Sequence, residues 1–200
     1  MAQQPVFDAA KALDSARAEP QARIERDGST FRVAVTKSDG RPGITFPAPA
    51  GGWSLGGLSA IEAKVKNTGR RALNVHLVID GPGADRTHRQ NCKITSESLA
   101  PGEEKTLTVP IAPIPPSPVD WLQGGKAKTF QYPVVPEQDG YNLPVANVIS
   151  IYVYHPGADY EYEVSDLRAC QDARPLNGRD WNRKHPLRKS QRNGSTRSCP

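Results

Sequence analysis

The sequence predicts an all-β fold, an antiparallel β-sandwich. Nineteen prolines and 17 glycines are spread through the 200 residues, so few stretches are long enough for helices to pack, and short strands joined by turns are favoured. Several segments alternate apolar and polar residues with a period of two, which gives each strand one apolar face. A strand of that kind covers only one side of a core, so two sheets must pack face to face.

The elements follow in order. A short helix is expected over about Asp8–Ala18, before Pro20. Phe31, Val33 and Val35 alternate with Arg32 and Ala34 as the first strand, closed by the turn Lys37-Ser38-Asp39-Gly40. Ile44 to Phe46 forms a second. Ile61, Ala63 and Val65 alternate with Glu62, Lys64 and Lys66; Thr68-Gly69-Arg70-Arg71 turns the chain into Leu73, Val75, Leu77 and Ile79. A polar loop from Gly81 to Gln90 leads to Asn91–Glu97, and Pro101-Gly102 turns into Leu107, Val109 and Ile111. Residues 112–146 form the longest irregular stretch, rich in proline and aromatic residues, and such long loops in compact domains are usually functional or disordered. Val148–Tyr154 and Tyr160–Arg168 are two further strands around the turn His155-Pro156-Gly157. The expected domains are therefore an N-terminal segment 1–27, partly helical or loose, a sandwich 28–169, and a basic disordered tail 170–200.

The net charge of +5 belongs to that tail. Residues 168–200 hold nine Lys and Arg against Asp172 and Asp180, while residues 1–167 carry 17 basic and 19 acidic groups. The body has no electrostatic footprint for polyanions, and specific nucleic-acid binding is not expected. No apolar run approaches the roughly 20 residues of a membrane helix, so no membrane partner is expected. Cys92, Cys170 and Cys199 lack metal spacing, and a Cys170–Cys199 disulfide could close a loop in the tail. No signal peptide is visible.

Several stretches carry a family resemblance. Gly52-Trp53-Ser54-Leu55-Gly56-Gly57-Leu58, followed by Val65-Lys66-Asn67-Thr68-Gly69, resembles the opening of β-jelly-roll carbohydrate-binding modules. Leu99-Ala100-Pro101-Gly102-Glu103 through Val109 is similar to their "L-x-PGE" hairpin. Val148-Ile149-Ser150-Ile151-Tyr152-Val153-Tyr154 through Asp166-Leu167-Arg168-Ala169 resembles their final strand pair. Together these stretches cover about residues 30–169 and resemble the non-catalytic N-terminal sandwich that precedes the (β/α)8 barrel in agarase-type glycoside hydrolases, which implies that the sandwich is a jelly roll of galactose-binding-like type. Two departures stand out: Ser54 occupies a position usually held by Asp, and nothing after Ala169 resembles a barrel. The resemblance implies an extracellular or periplasmic protein that binds a polysaccharide or oligosaccharide of galactan type, with a catalytic barrel as a further partner. It brings no catalytic residue onto this chain. The alternative is a structural domain that docks on such a barrel without binding glycan.

A sugar site needs exposed aromatic planes beside planar polar groups. Trp121, Tyr132 and Tyr141 from the long loop, with Arg86, Arg89 and Asn91 from the Gly81–Gln90 loop and its exit, are the expected carbohydrate-binding residues. Tyr152 and Tyr154 share the outer or concave face of their strand, Trp53 is expected in the core, and His76 in a solvated outer position. In related jelly rolls the place of Asp166 often holds a ligand for structural calcium. The expected metal ligands are therefore Asp166 and Asp39, with Glu25 and Asp27 as further partners, against a plain Arg-pairing role for Asp166. No nucleophile elbow, zinc-protease motif or P-loop is present, and Glu161 and Glu163 read as a charged outer face, so no enzyme activity is expected.

Any DNA or RNA binding by this chain is expected to be weak, steeply salt-dependent and confined to residues 170–200. A chain ending at Ala169 should show none at physiological salt in a filter-binding assay, and tight binding by it would place a nucleic-acid surface on the sandwich itself.

Overall fold

The computed structural model describes residues 5–87, 90–111, 120–123, 126–129 and 143–171. The chain opens with α1 (Ala9–Asp14), β1 (Arg17–Ala18), β2 (Ala22–Asp27), β3 (Thr30–Val35), β4 (Gly43–Pro47) and β5 (Trp53–Ser54). It continues through β6 (Ala60–Asn67), β7 (Leu73–Asp85), β8 (Gln90–Leu99) and β9 (Glu104–Pro110). After the short hairpin of β10 (Asp120–Gln123) and β11 (Lys126–Thr129) come β12 (Val145–Ala146), β13 (Val148–Val153) and β14 (Tyr160–Cys170).

Two five-stranded antiparallel sheets form the sandwich. The first has the order β1-β4-β13-β7-β8 and the second β2-β3-β14-β6-β9. The alternation expected from the sequence sets the inward residues: Phe31, Val33 and Val35 on β3, Ile61, Ala63 and Val65 on β6, and Ile149, Ile151 and Val153 on β13 are all buried. Phe31 meets Phe46 edge to face across the two layers, with ring centroids 6.0 Å apart. Tyr162 on β14 is fully buried, and its hydroxyl donates to the Ile151 carbonyl on β13 at 3.0 Å, joining the central strands of the two sheets.

The expected N-terminal segment 1–27, from Pro5 on, belongs to this sandwich rather than preceding it. Asp8 caps α1 by accepting from the Ala10 and Lys11 amides, and the helix stops at Asp14, earlier than expected, because the chain turns into edge strand β1. Ala12 packs in the core, and β2 pairs with β3 from Ala22↔Val35 to Asp27↔Thr30. Trp53 is 1% exposed and meets Phe7 edge to face at 5.2 Å, so it fills the core as expected. Within the expected polar loop Gly81–Gln90, β7 runs on as far as Asp85. Within the expected irregular stretch 112–146, β10, β11 and β12 are strands, Leu143 packs in the core just before Pro144, and the rest lies outside the described residues.

The outward face of the second sheet is a charge ladder. Register places Glu25 of β2, Arg32 of β3, Glu163 of β14, Lys66 of β6 and Glu104 of β9 side by side, alternating in sign across all five strands. Arg32 and Glu163 pair at 3.4 Å, and Lys64 reaches Glu104 at 3.6 Å. Exposed pairs of this kind add little stability, but they leave the face strongly hydrated.

Asn67 holds the β6–β7 corner. It is fully buried, donates through Nδ2 to the carbonyls of Arg71 (2.8 Å) and Leu99 (3.0 Å), and accepts from the Gly69 amide at 3.0 Å. Asn67→Ala is expected to cost about 1–3 kcal/mol, since it removes the side-chain donor from the buried Leu99 carbonyl and the partly buried Arg71 carbonyl, while the Gly69 amide keeps its second acceptor, the Glu161 carbonyl. Urea denaturation should show a lower midpoint with an unchanged slope.

Candidate functional site

The outward face of the first sheet differs from that of the second. Cross-strand partners align two rows on it: Gly43, Tyr152, His76 and Ser96, and then Thr45, Ser150, Val78 and Ile94. A face exposed only to water would carry polar residues at these positions, yet Val78 is fully buried and Tyr152 is 4% exposed. Between them opens a cleft of about 340 Å³, lined by Arg41, His76, Val78, Arg86, Thr87, Cys92, Ile94, Tyr152 and Tyr154.

Tyr152 anchors the cleft, and Gly43 makes room for it. A Cβ on Gly43 would stand 2.6 Å from the Tyr152 Cα and 2.8 Å from its Cβ, so no larger residue fits between β4 and β13 there. The His76 ring stacks on Tyr152 at 5.3 Å with the planes 19° apart, and the Arg86 guanidinium lies over the same ring, 5.3 Å from its centroid. Arg86 is fixed from beneath by the Asp80 carboxylate, which accepts from both Nε and Nη2, and by Ser150 Oγ at 2.9 Å. Burial alone would lower the Arg86 pKa, but the Asp80 bonds outweigh it and hold the group above its ordinary value. Burial raises the Tyr152 pKa against the pull of Arg86 and Arg41, so its hydroxyl stays protonated.

Tyr154 supplies the open aromatic surface. It is 50% exposed, with the Arg41 guanidinium 5.4 Å from its ring centroid and the His155 ring meeting it edge-on at 4.0 Å. Ile94, 43% exposed, sits in the row with Val78. An exposed ring beside two guanidiniums, an imidazole and hydroxyls can stack on an apolar ring face and hydrogen-bond its polar edge.

The expected site residues fare unequally. Arg86 lines the cleft. Asn91 adopts φ 49°, and its Nδ2 donates to the Pro82 carbonyl at 3.1 Å, which is local work on the β7–β8 turn away from the cleft lining. Arg89, Tyr132, Tyr141 and the side chain of Trp121 lie outside the described residues. His76, expected to be solvated, is instead half-buried in the aromatic stack, because β13 and not solvent lies beside it. Tyr152 and Tyr154 do share the concave face.

The residues do not fit the calcium site the resemblance implied. Asp166 sits at a bulge in β14 with φ 52°, where its carboxylate accepts from Arg168 at 2.9 Å, and Arg168 in turn donates to Glu62 at 2.8 Å. Asp39 follows β3 beyond the Val35↔Tyr160 pair, whereas Asp166 lies beyond Phe31↔Val164, at the other end of the strands. Among the described residues no three His, Cys, Asp or Glu side chains converge as metal ligands. Cys92 and Cys170 share no disulfide, and Cys199 is outside the described residues.

No protein-family model matches the chain, and a comparison with curated sequences returns no relative. Solved structures share its fold. It superposes on an exo-beta-agarase with a TM-score of 0.56 at 12% identity, over 84% of this chain and 24% of the agarase chain. A second agarase superposes with the same score, identity and coverage. The chain thus spans about a quarter of the length of those proteins. A family 11 carbohydrate-binding module from Clostridium thermocellum, in complex with a mixed-linked tetrasaccharide, aligns over 94% of its own length and 83% of this chain at 13% identity, with a TM-score of 0.47. The jelly-roll sandwich is therefore an architecture found within agarase chains.

Burial, with the Arg41 charge adding to it, lowers the His76 pKa below the ordinary histidine value. The unfolded chain then binds a proton that the folded chain resists, so His76 should destabilise the fold as pH falls through about 6.5 and below. Urea midpoints measured at pH 7.5 and 5.5 should drop less in His76→Gln than in the parent.

Proposed function

We propose that the chain is a non-catalytic carbohydrate-binding module of a secreted, agarase-like polysaccharide-degrading enzyme, and that its glycan is of galactan type. The observation that carries this reading is the concave cleft. An exposed Tyr154 ring stands beside the planar donors Arg41, Arg86 and His76, on a sheet face where alternation would otherwise place only solvated residues. The galactan part is supported by the motif resemblance and by the agarases that share the fold. No constellation among the described residues combines a nucleophile, a base and an orienting group: the Glu62 carboxylate is bound by Arg168 and Thr108, and Glu163 by Arg32.

The docking alternative has one feature in its favour. A recess of about 520 Å³ near the N-terminus is lined by Pro5, Val6, Pro47, Ala48, Pro49 and Trp53, with Val6 56% exposed, and a neighbouring catalytic barrel could cover it. The concave cleft is the stronger site, since it combines an aromatic plane with fixed polar groups, whereas the recess offers apolar surface with only Lys11, Ser15 and Arg17 at its margin.

Affinity electrophoresis in gels containing agarose or other polysaccharides should retard the protein. Tyr154→Ala should lower the affinity by up to about tenfold while leaving the circular dichroism spectrum unchanged. Retardation that is absent in every gel would favour docking, and a Val6→Asp variant that loses association with a catalytic barrel would establish it.

A further inference from the structure

Two cations line the cleft, and they differ. Arg86 is neutralised in place by Asp80 and commits its Nε and Nη2 donors to that carboxylate and to Ser150. Arg41 has no such partner among the described residues. Its guanidinium rests over Tyr154, and no carboxylate among the described residues lies within ion-pair distance of it. The other groups facing it do not supply one. His76 is held neutral at pH 7 by burial and by Arg41 itself, and Tyr152 stays protonated. Glu19, whose amide donates to the Gly43 carbonyl, acts through its charge on the already paired Arg86 and makes no ion pair with Arg41.

We propose that the cleft selects an anionic glycan, one whose sugar ring carries a sulfate ester or a carboxylate, and that Arg41 is the residue that selects it. The inference rests on the carbohydrate reading of the cleft. Its chemistry is that of a planar guanidinium, whose fork of N–H donors matches two oxygens of a sulfate or carboxylate at once. Contact with the Tyr154 ring restrains Arg41, so less side-chain freedom is lost when the anion binds. The same ring lies open beside it for the sugar carrying the anion. A neutral sugar would stack equally well but leave the Arg41 charge without a counter-charge as water is displaced.

The test is affinity electrophoresis and calorimetry of the whole chain against three probes: agarose as the neutral galactan, a carrageenan as the sulfated galactan, and polygalacturonate as the carboxylated one. The expected result is tighter binding to one or both anionic probes than to agarose, weakening as sodium chloride rises from 50 to 500 mM. In R41Q the ratio of anionic to neutral affinity should fall by about tenfold, the loss of one charge-assisted bond. The basic residues 172–200 add a background that is the same in both proteins, so the difference between them isolates Arg41. The carrageenan and polygalacturonate arms tell sulfate from carboxylate. Equal, salt-independent binding of all three probes would overturn the anion proposal and leave the carbohydrate reading standing. Anionic preference that survives in R41Q would overturn the role of Arg41. No binding to any probe would overturn both readings.

Discussion

The hydrogen bond from the Tyr162 hydroxyl to the Ile151 carbonyl joins the two strands at the centres of the two sheets. A phenol buried this completely needs an acceptor, and burial keeps its proton in place by pushing its pKa far up. The bond fixes how β14 faces β13 across the roughly 10 Å that separates packed sheets. Once Ile151 faces inward, parity forces Ser150 and Tyr152 outward, and pairing with β7 then brings His76 and Val78 alongside them. The cleft is thus a geometric consequence of the core: the residues that fill the middle decide which ones line the concave face.

The fold was largely legible because the period-two pattern is strong wherever one strand face is buried. Phe31–Val35, Ile61–Val65, Leu73–Ile79 and Val148–Val153 all declare themselves in that way. Strand β2 did not, since Ala22, Arg23, Ile24, Glu25, Arg26 and Asp27 form an edge with only partial burial and little apolar signal. The site was legible only in part. The parity of Tyr152 and Tyr154 gave their face, and Arg86 stood in the expected loop. His76 was misread because its environment depends on β13, a strand far along the chain, and no local pattern reports such a neighbour. Val78 held a usable clue: three successive apolar residues, Leu77, Val78 and Ile79, leave one on the face that should be polar, which marks that face as covered. Arg41 gave no signal, because its place comes from the turn between β3 and β4 folding against Tyr154.

The two outer faces differ in their chemistry. On the second sheet, alternating charges satisfy one another across five strands, and a partner would have to strip water from all of them. On the first sheet, the side chains are packed rings with one carboxylate already committed beneath them. The protein has itself taken Tyr152 and Val78 out of water there, so a ligand placed on this face would have less water to displace from them. The same sandwich therefore presents one face of exposed, mutually compensating charge and one of packed rings.

The central positions of β13 and β14 also determine how the chain reaches its native state. Each pairs on both sides with strands drawn from much earlier in the sequence, as in Phe31 with Val164 and Ile44 with Ile151. Until residues 148–170 emerge from the ribosome, β4 and β7 in one sheet and β3 and β6 in the other have their inner edges open. So high a proportion of distant pairings implies slow, late folding, with a collapsed but incomplete sandwich persisting during synthesis. Heterologous production should accordingly be limited by aggregation of that species, and it should improve with slower translation or a holding chaperone more than with any gain in native stability.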